Sequence, residues 1–411
     1  MISQKDKKII RDLAKQVKEI ASLPIQEEKR RLWRKLNRLE AERPMVLIAQ
    51  VCWNEMNVNE ELNVLCESPE CQHYEIRLRR LLYQWRHFPV DMVMEPFIPV
   101  FKAVSSTGFG IEVKEEILVT DPTSSVVSHK FINQFETESD LEKIKEPLVS
   151  YDEGETQRQL EVAEELFGGL LEVRSRGVEP YLSLWDPLAT WMGVENALLA
   201  LVERPDYIHQ ILDRMPSGYL SLLDQLEKNG LLCPPQSLIH CTGAWTDELP
   251  AFGYNPEKPR TKDIWMFGLA QMLGTVSPKM FKEFEVDYTA RIANRFGLVY
   301  YGCCEPLHDK IAEVRLIPHV RKISMSPWVD QEKAAEQIGR DFVFSRKPNP
   351  AFLAGSVFDE ELVRKDLFQT KKICQNYGCS LEFILKDIST VRYQPERLFQ
   401  WAKVAMEVAQ E

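Results

Sequence analysis

No stretch of this chain approaches the ~18 consecutive apolar residues of a membrane span, and the opening Met1-Ile2-Ser3-Gln4-Lys5-Asp6-Lys7-Lys8 has no apolar signal core behind it. Neither a membrane anchor nor export is expected, which leaves the cytoplasm. A paired-cysteine framework is missing too: nine cysteines, an odd number, are scattered over 411 residues, so reduced thiols or metal ligands are the better expectation. Positive charge is in deficit, with 51 basic against 62 acidic residues and a net charge of −11, and nucleic acid is excluded as a partner because phosphate contacts need a basic surface. The basic stretch Lys29-Arg30-Arg31-Leu32-Trp33-Arg34-Lys35 sits at helical spacing among Glu27, Glu28 and Glu40 and reads as a solvated helix face. There is no low-complexity tract and no internal repeat.

What is present is an ordinary globular composition, 44% hydrophobic and 27% charged, long enough for one large barrel or two domains. Ile9, Ile10, Leu13, Val17 and Ile20, then Leu32, Trp33, Leu36 and Leu39 beyond Pro24, repeat at helical spacing and predict an N-terminal helical arm over 1–43. From 44 to 411 short apolar runs, the signature of strands buried on both faces, alternate with helix-period segments. They predict eight strands at 45–51, 91–95, 180–184, 237–241, 298–303, 322–326, 342–345 and 381–385, with helices such as 196–215, 278–296, 331–338, 360–377 and 395–409. Eight parallel βα units imply a closed (β/α)8 TIM barrel. Residues 101–135 break the rhythm and read as an inserted hairpin, with Ile111-Glu112-Val113 and Ile117-Leu118-Val119 as its arms. The loop 242–263, rich in Pro, Gly and charge and carrying Trp245, Phe252 and Tyr254, reads as a lid over the barrel mouth.

The most informative run is Leu298-Val299-Tyr300-Tyr301-Gly302-Cys303-Cys304-Glu305-Pro306, an apolar strand that ends in two thiols and a carboxylate. Chemistry in α/β folds gathers at strand C-terminal ends, and thiols beside a carboxylate suit a borderline cation such as zinc. Cys303 and Cys304 are candidate metal ligands, or one ligand and one inert buried thiol. His240 closes the fourth predicted strand as nitrogen ligand, general acid or hydrogen-bonded core histidine. Asp387, after the eighth, is a candidate oxygen ligand. Glu305 and Lys386 are candidate catalytic groups, Glu305 reading alternatively as a helix-start residue beside Pro306. Asp186 is a pocket acid or a helix N-cap. Glu95, Ser326, Trp328 and Lys347, at or just beyond other strand ends, are candidate substrate contacts. Cys66-x4-Cys71-x-His73 has metal-ligand types but no evident fourth donor. Cys303, Cys304, Glu305, His240 and Asp387 are expected to converge at one mouth.

Leu184-Trp185-Asp186-Pro187-Leu188, the helix from Asn196 to Pro205, Thr275-Val276-Ser277-Pro278-Lys279-Met280-Phe281, the turn at 298–306 and the ending Thr390 to Leu398 resemble the uroporphyrinogen decarboxylase superfamily over roughly 45–408. Its other main branch contains cobalamin-dependent methyltransferases. The resemblance implies the same barrel. The decarboxylase branch grips its substrate with an N-terminal arginine-rich motif, whereas here the first strand runs into Cys52-Trp53-Asn54-Glu55-Met56. The methyltransferase branch binds zinc through His-x-Cys after its fifth strand and a further cysteine after its eighth. This chain offers Tyr301-Gly302-Cys303-Cys304 and Lys386-Asp387 at those places, so one cysteine is kept while the histidine and last thiol are replaced. The resemblance therefore implies a zinc-dependent methyltransferase that moves a methyl group between a small methylated substrate and a separate corrinoid protein carrying cobalamin, in the manner of an O-demethylase component, with room for a homodimer. Two alternatives stand beside it: a decarboxylase of the uroporphyrinogen decarboxylase type using Glu305 and Lys386, and a non-catalytic barrel that binds a small molecule or tetrapyrrole.

Overall fold

Two amphipathic helices open the chain. Ser3 caps α1 (Gln4–Ala21) by accepting the Asp6 N–H, and Pro24 starts α2 (Pro24–Asn37), a position where its missing N–H costs nothing. The computed structural model describes residues 2–119 and 127–411. Ile10, Leu13, Ala14 and Val17 of α1 are buried with Leu78 and Leu82 of α3 (Pro69–His87) and with Ala163 and Leu166 of the helix Glu153–Phe167. Leu32, Trp33 and Leu36 of α2 go elsewhere, into the cluster on one face of the main sheet. At roughly 1.5–3 kcal/mol for each large apolar side chain buried, the arm is fastened to the rest of the chain.

The main sheet has seven parallel strands: β1 (Met45–Ile48), β2 (Tyr181–Leu182), β3 (Trp265–Gly268), β4 (Leu298–Tyr301), β5 (Val320–Met325), β6 (Val343–Arg346) and β7 (Ser380–Leu385). Their order is β1-β7-β6-β5-β4-β3-β2. Alternation of side chains along each strand divides the apolar residues between two faces. Met45, Leu47, Trp265, Phe267, Leu298, Tyr300, Val343 and Ile384 share one cluster with Trp33 of α2. Val46, Ile48, Met266, Val299, Tyr301, Ile323, Phe344 and Phe383 share the other with helices such as Pro205–Lys228, Glu360–Tyr377 and Glu396–Gln410. Both faces are covered, which is why these strands read as mostly apolar runs rather than alternating ones.

Among the described residues the expected eight-stranded barrel does not close: the sheet has seven strands, and its edges β1 and β2 are not paired with each other. Asp91 supplies the reason. Its N–H donates to the Val46 carbonyl at 2.9 Å, its carboxylate accepts the Val46 N–H at 2.8 Å, and Arg43 holds that carboxylate bidentately. Both outward backbone groups of Val46 are thus taken by one residue, and 91–95 forms no strand. The strand nearby is Phe97–Phe101, paired in parallel with Glu172–Arg176 in a separate two-stranded sheet. Residues 237–241 also leave the main sheet: Leu238–Ile239 pairs antiparallel with Thr242–Gly243 in a small hairpin. Trp265–Gly268 takes the place expected of it.

That substitution moves the loop 242–263. It feeds β3 at its N-terminal end, where Asn37 donates to the Gly243 and Trp245 carbonyls and Arg321, at the start of β5, pairs with Glu248. The loop lies at the face opposite the strand C-termini, so the lid expectation is overturned. The inserted hairpin is present with different arms, Glu115–Leu118 against Ser128–Phe131, while Ala103–Ser106 pairs with Val149–Asp152. The expected arm Ile111-Glu112-Val113 carries no strand, and part of the expected insertion, 120–126, lies outside the described residues.

A candidate thiolate site at the strand ends

The chain leaves β4 through Gly302, whose φ of +90° is left-handed and where a Cβ would stand 2.5 Å from Leu307 Cδ1. Only glycine fits there, and the turn delivers Cys303. Glu305 fixes it: one carboxylate oxygen accepts the Cys303 N–H at 2.8 Å and the other accepts the Ala270 N–H, beyond β3, at 3.2 Å. Glu305 is buried, and loss of hydration raises its pKa. Its role in the structure is to clamp two strand ends together.

The other members arrive from β7 and from the hairpin tip. Lys386 follows β7 directly, and Asp387 adopts a left-handed φ of +57°. His240 turns the hairpin with a φ of +52° and stacks on Phe267, ring centroids 4.0 Å apart and planes 8° apart. Two non-glycine residues in the left-handed region at one site mark stored backbone strain. The Lys386 ammonium lies 2.8 Å from Cys303 Sγ, 3.9 Å from Cys304 Sγ, 3.4 Å from His240 Nε2 and 3.4 Å from Asp387 Oδ2. Cys303 Sγ is 3.5 Å from Cys304 Sγ and 3.9 Å from His240 Nε2, and Cys304 Sγ is 3.3 Å from Asp387 Oδ2.

This geometry divides the two thiols. Cys303 is held well below the ordinary thiol range because Cys304 donates its S–H to it, with His240 and Lys386 adding to the effect against the opposing cost of burial. Cys304 is pushed up, first by that donated hydrogen bond, then by burial and by the Cys303 negative charge. Burial alone would push the Lys386 pKa down, yet the Cys303 thiolate overrides it and holds the ammonium charged. A buried thiolate–ammonium pair results.

The donor types suit zinc, but their arrangement does not. Zinc requires donors ~2.0–2.3 Å from one point, whereas these atoms form a chain from Asp387 through Cys304 and Cys303 to His240, with the Lys386 ammonium at its focus. Among the described residues no group of three or more His, Cys, Asp or Glu side chains is placed to hold a metal ion. A cation at that focus repels another. Cys66, Cys71 and His73 likewise form no such group, since both thiols are buried, with Cys71 packed against Leu78 and Leu82 of α3, while His73 is exposed.

Asp186 accepts from the Tyr181 hydroxyl at 2.6 Å, and burial raises its pKa, with Cys303 adding a further upward push. Lys347 is not a free cation of the mouth: it is buried and donates to Tyr300 Oη at 2.5 Å and Ser345 Oγ at 2.7 Å. It belongs to a polar layer inside the fold where Lys322 meets Glu382 at 2.8 Å, both fully buried, and Thr242 of the hairpin donates to the same carboxylate. Ser326 is buried and its carbonyl accepts from Arg346, Trp328 is exposed, and Glu95 pairs with Arg30 at 3.3 Å. Reading the sequence missed Tyr181, Phe267 and Glu285. Glu285 sits in a π-helical turn (Lys282–Val286), accepts from Thr289 and Tyr301, and is pushed up to about 8 by burial. A π turn leaves no mark in hydrophobic periodicity, although such turns gather near functional sites.

The chain is similar in fold to a solved methyltransferase from Methanosarcina mazei, with a TM-score of 0.50 at 11% identity over 93% of this chain and 97% of that one. At that identity the likeness is one of fold. No protein-family profile matches the chain. No curated protein matches it either.

Proposed function

We propose that this protein is a methyltransferase acting on a small methylated compound, and that Cys303 is its nucleophile. The observation that carries the reading is the 2.8 Å contact between Cys303 Sγ and the Lys386 ammonium at the C-terminal ends of a parallel sheet, the end where such folds keep their reactive groups. The fold likeness to a methyltransferase supports it. The thiolate attacks the methyl carbon: the S–CH3 bond forms as the bond from CH3 to the leaving atom breaks, and that atom departs with the electron pair. Methylation removes the thiolate's negative charge. Lys386 is then a buried ammonium without its counter-charge, its pKa falls, and it yields a proton to the departing group. A separate reduced corrinoid protein docking over the same mouth is the second methyl carrier in this reading: the S–CH3 bond breaks as the methyl group passes to it, the electron pair returns to Cys303 as thiolate, and Lys386 takes back a proton from water. No step is assigned to zinc, because the donors do not fit it as they stand.

Glu305 is a positioning residue in this scheme, since both its oxygens are engaged by backbone N–H groups; that engagement is also why decarboxylation through Glu305 is not favoured. The test incubates the protein with methoxyaromatic acids and methylamines in the presence of a reduced corrinoid protein, and follows corrinoid methylation by its visible spectrum. Turnover is expected in the wild type, with a methyl group on the Cys303 peptide by mass spectrometry when the corrinoid is left out. Cys303→Ser is expected to lose both signals. Full activity in Cys303→Ser would refute the assignment.

A further inference from the structure

Two adjoining cavities, of about 500 and about 710 Å³, lie between the end of β1, helix α3 and the strand Phe97–Phe101, and both are lined by Ala49, Arg77, Leu81 and Phe101. His240 lines the smaller one, which brings that cavity to within one side chain of Cys303. The charges along the walls do not cancel. Asp91 is held by Arg43, Glu95 by Arg30, Glu179 by Arg176 at 3.1 Å, and Glu70 by Arg158. Arg77 and Arg80, three residues apart on α3 and so on one face, make no hydrogen bond and no ion pair among the described residues. The Arg80 guanidinium stands 5.0 Å over the Trp53 ring. Arg77 is half-buried and loses hydration without a counter-charge in return. A cation in that state is costly unless an anion completes it. Most of the rest of the lining, including Trp53, Leu81, Pro99 and Phe101, is apolar or aromatic, with Gln84 and Gln159 as neutral polar members.

Building on the reading of Cys303 as methyl acceptor, we infer that Arg77 and Arg80 form an anion subsite and that the substrate is a small methylated aromatic carboxylate. Its carboxylate lies against the two guanidinium groups, its ring against the apolar wall, and its methylated end points toward His240 and Cys303. Arginine suits the task because its planar fork accepts a carboxylate through two N–H groups.

The test is calorimetric titration of the full chain with 4-methoxybenzoate, with benzoate, and with the neutral 4-methoxybenzyl alcohol. Both acids are expected to bind at least tenfold more tightly than the alcohol. Arg77→Gln is expected to weaken the acids by roughly ten- to hundredfold, the value of a lost charge-assisted contact, with Arg77→Lys in between and the alcohol unchanged. Alcohol binding equal to that of the acids, no binding of either acid, or full acid affinity in both Arg77→Gln and Arg80→Gln would overturn the subsite. If Arg77→Gln does not fold, the comparison of acids with alcohol on the wild type decides. Benzoate has no methyl group, so the two readings fail separately: benzoate binding without methyl transfer from 4-methoxybenzoate counts against Cys303 and leaves the subsite standing.

Discussion

Replacing Lys386 by Met removes the ammonium from the Cys303 thiolate while keeping the length of the side chain. At 2.8 Å and an effective dielectric of about 20, the gross attraction is about 6 kcal/mol. Burial of both charges takes back a large part of it, and opposite charges at this range lower an acidic pKa by roughly 1–3 units, or about 1.4–4 kcal/mol. The sign is fixed by the charge: without the ammonium the thiolate is less favoured, so the pKa rises. The assay is the ultraviolet absorbance of the thiolate against pH, with Cys303→Ser subtracted as the blank. The midpoint for Cys303 is expected to move up by roughly 1–3 units in Lys386→Met. A midpoint that stays in place would show that Lys386 does not hold the thiolate, and the proton-return step would fall with it.

Glu285 has a pKa raised by burial from 4.5 to about 8. Its contribution to stability is therefore complete below the ordinary value and is lost as pH rises through about 8; Glu285→Gln is expected to flatten the decline in unfolding free energy over that window in urea titrations. Lys322→Met leaves the buried Glu382 carboxylate without its ion-pair partner, at a cost of about 3–5 kcal/mol, whereas Lys322→Met with Glu382→Leu recovers most of it; chemical denaturation of both variants checks the ordering. Replacing 252–257 by two glycines is expected to leave the Cys303 titration midpoint unchanged, because that loop lies at the opposite end of the strands, and a shifted midpoint would contradict the placement. Equilibrium dialysis against zinc followed by elemental analysis is expected to show no tight ion in the wild type and an increase in Lys386→Ala, where the focus of the donor set is cleared.

Strands buried on both faces were legible because their apolar residues cluster in short runs instead of alternating, and six of the eight predicted segments overlap strands of the main sheet. The other two, 91–95 and 237–241, carry apolar cores of the same kind, Met92-Val93-Met94 and Leu238-Ile239. What separates them from Trp265–Gly268 is hydrogen bonding, through Asp91 onto Val46 and through the hairpin onto itself, and hydrogen-bond partners leave no periodicity. Cys303, Cys304, Lys386 and Asp387 could be placed together because each follows a strand of one parallel sheet. His240 is beside them for a different reason from the one the sequence offered, since it tips a hairpin rather than ending a strand. The balance between a metal cage and an ammonium pair turns on where the Lys386 side chain points, and spacing carries no record of that.

Gly243 lies against the ring of Trp33 so closely that a Cβ there would meet it at 2.4 Å, and Asn37 holds the Gly243 carbonyl. The second helix of the N-terminal arm is therefore the footing on which the hairpin stands, and the height of that footing sets how far His240 reaches toward Cys303. Residues more than two hundred positions away along the chain, packed in the same apolar cluster as Cys303 but bearing no reactive group, act as the levelling screw of the reactive centre. Variation in how α2 seats would tune that centre without altering any residue that touches substrate.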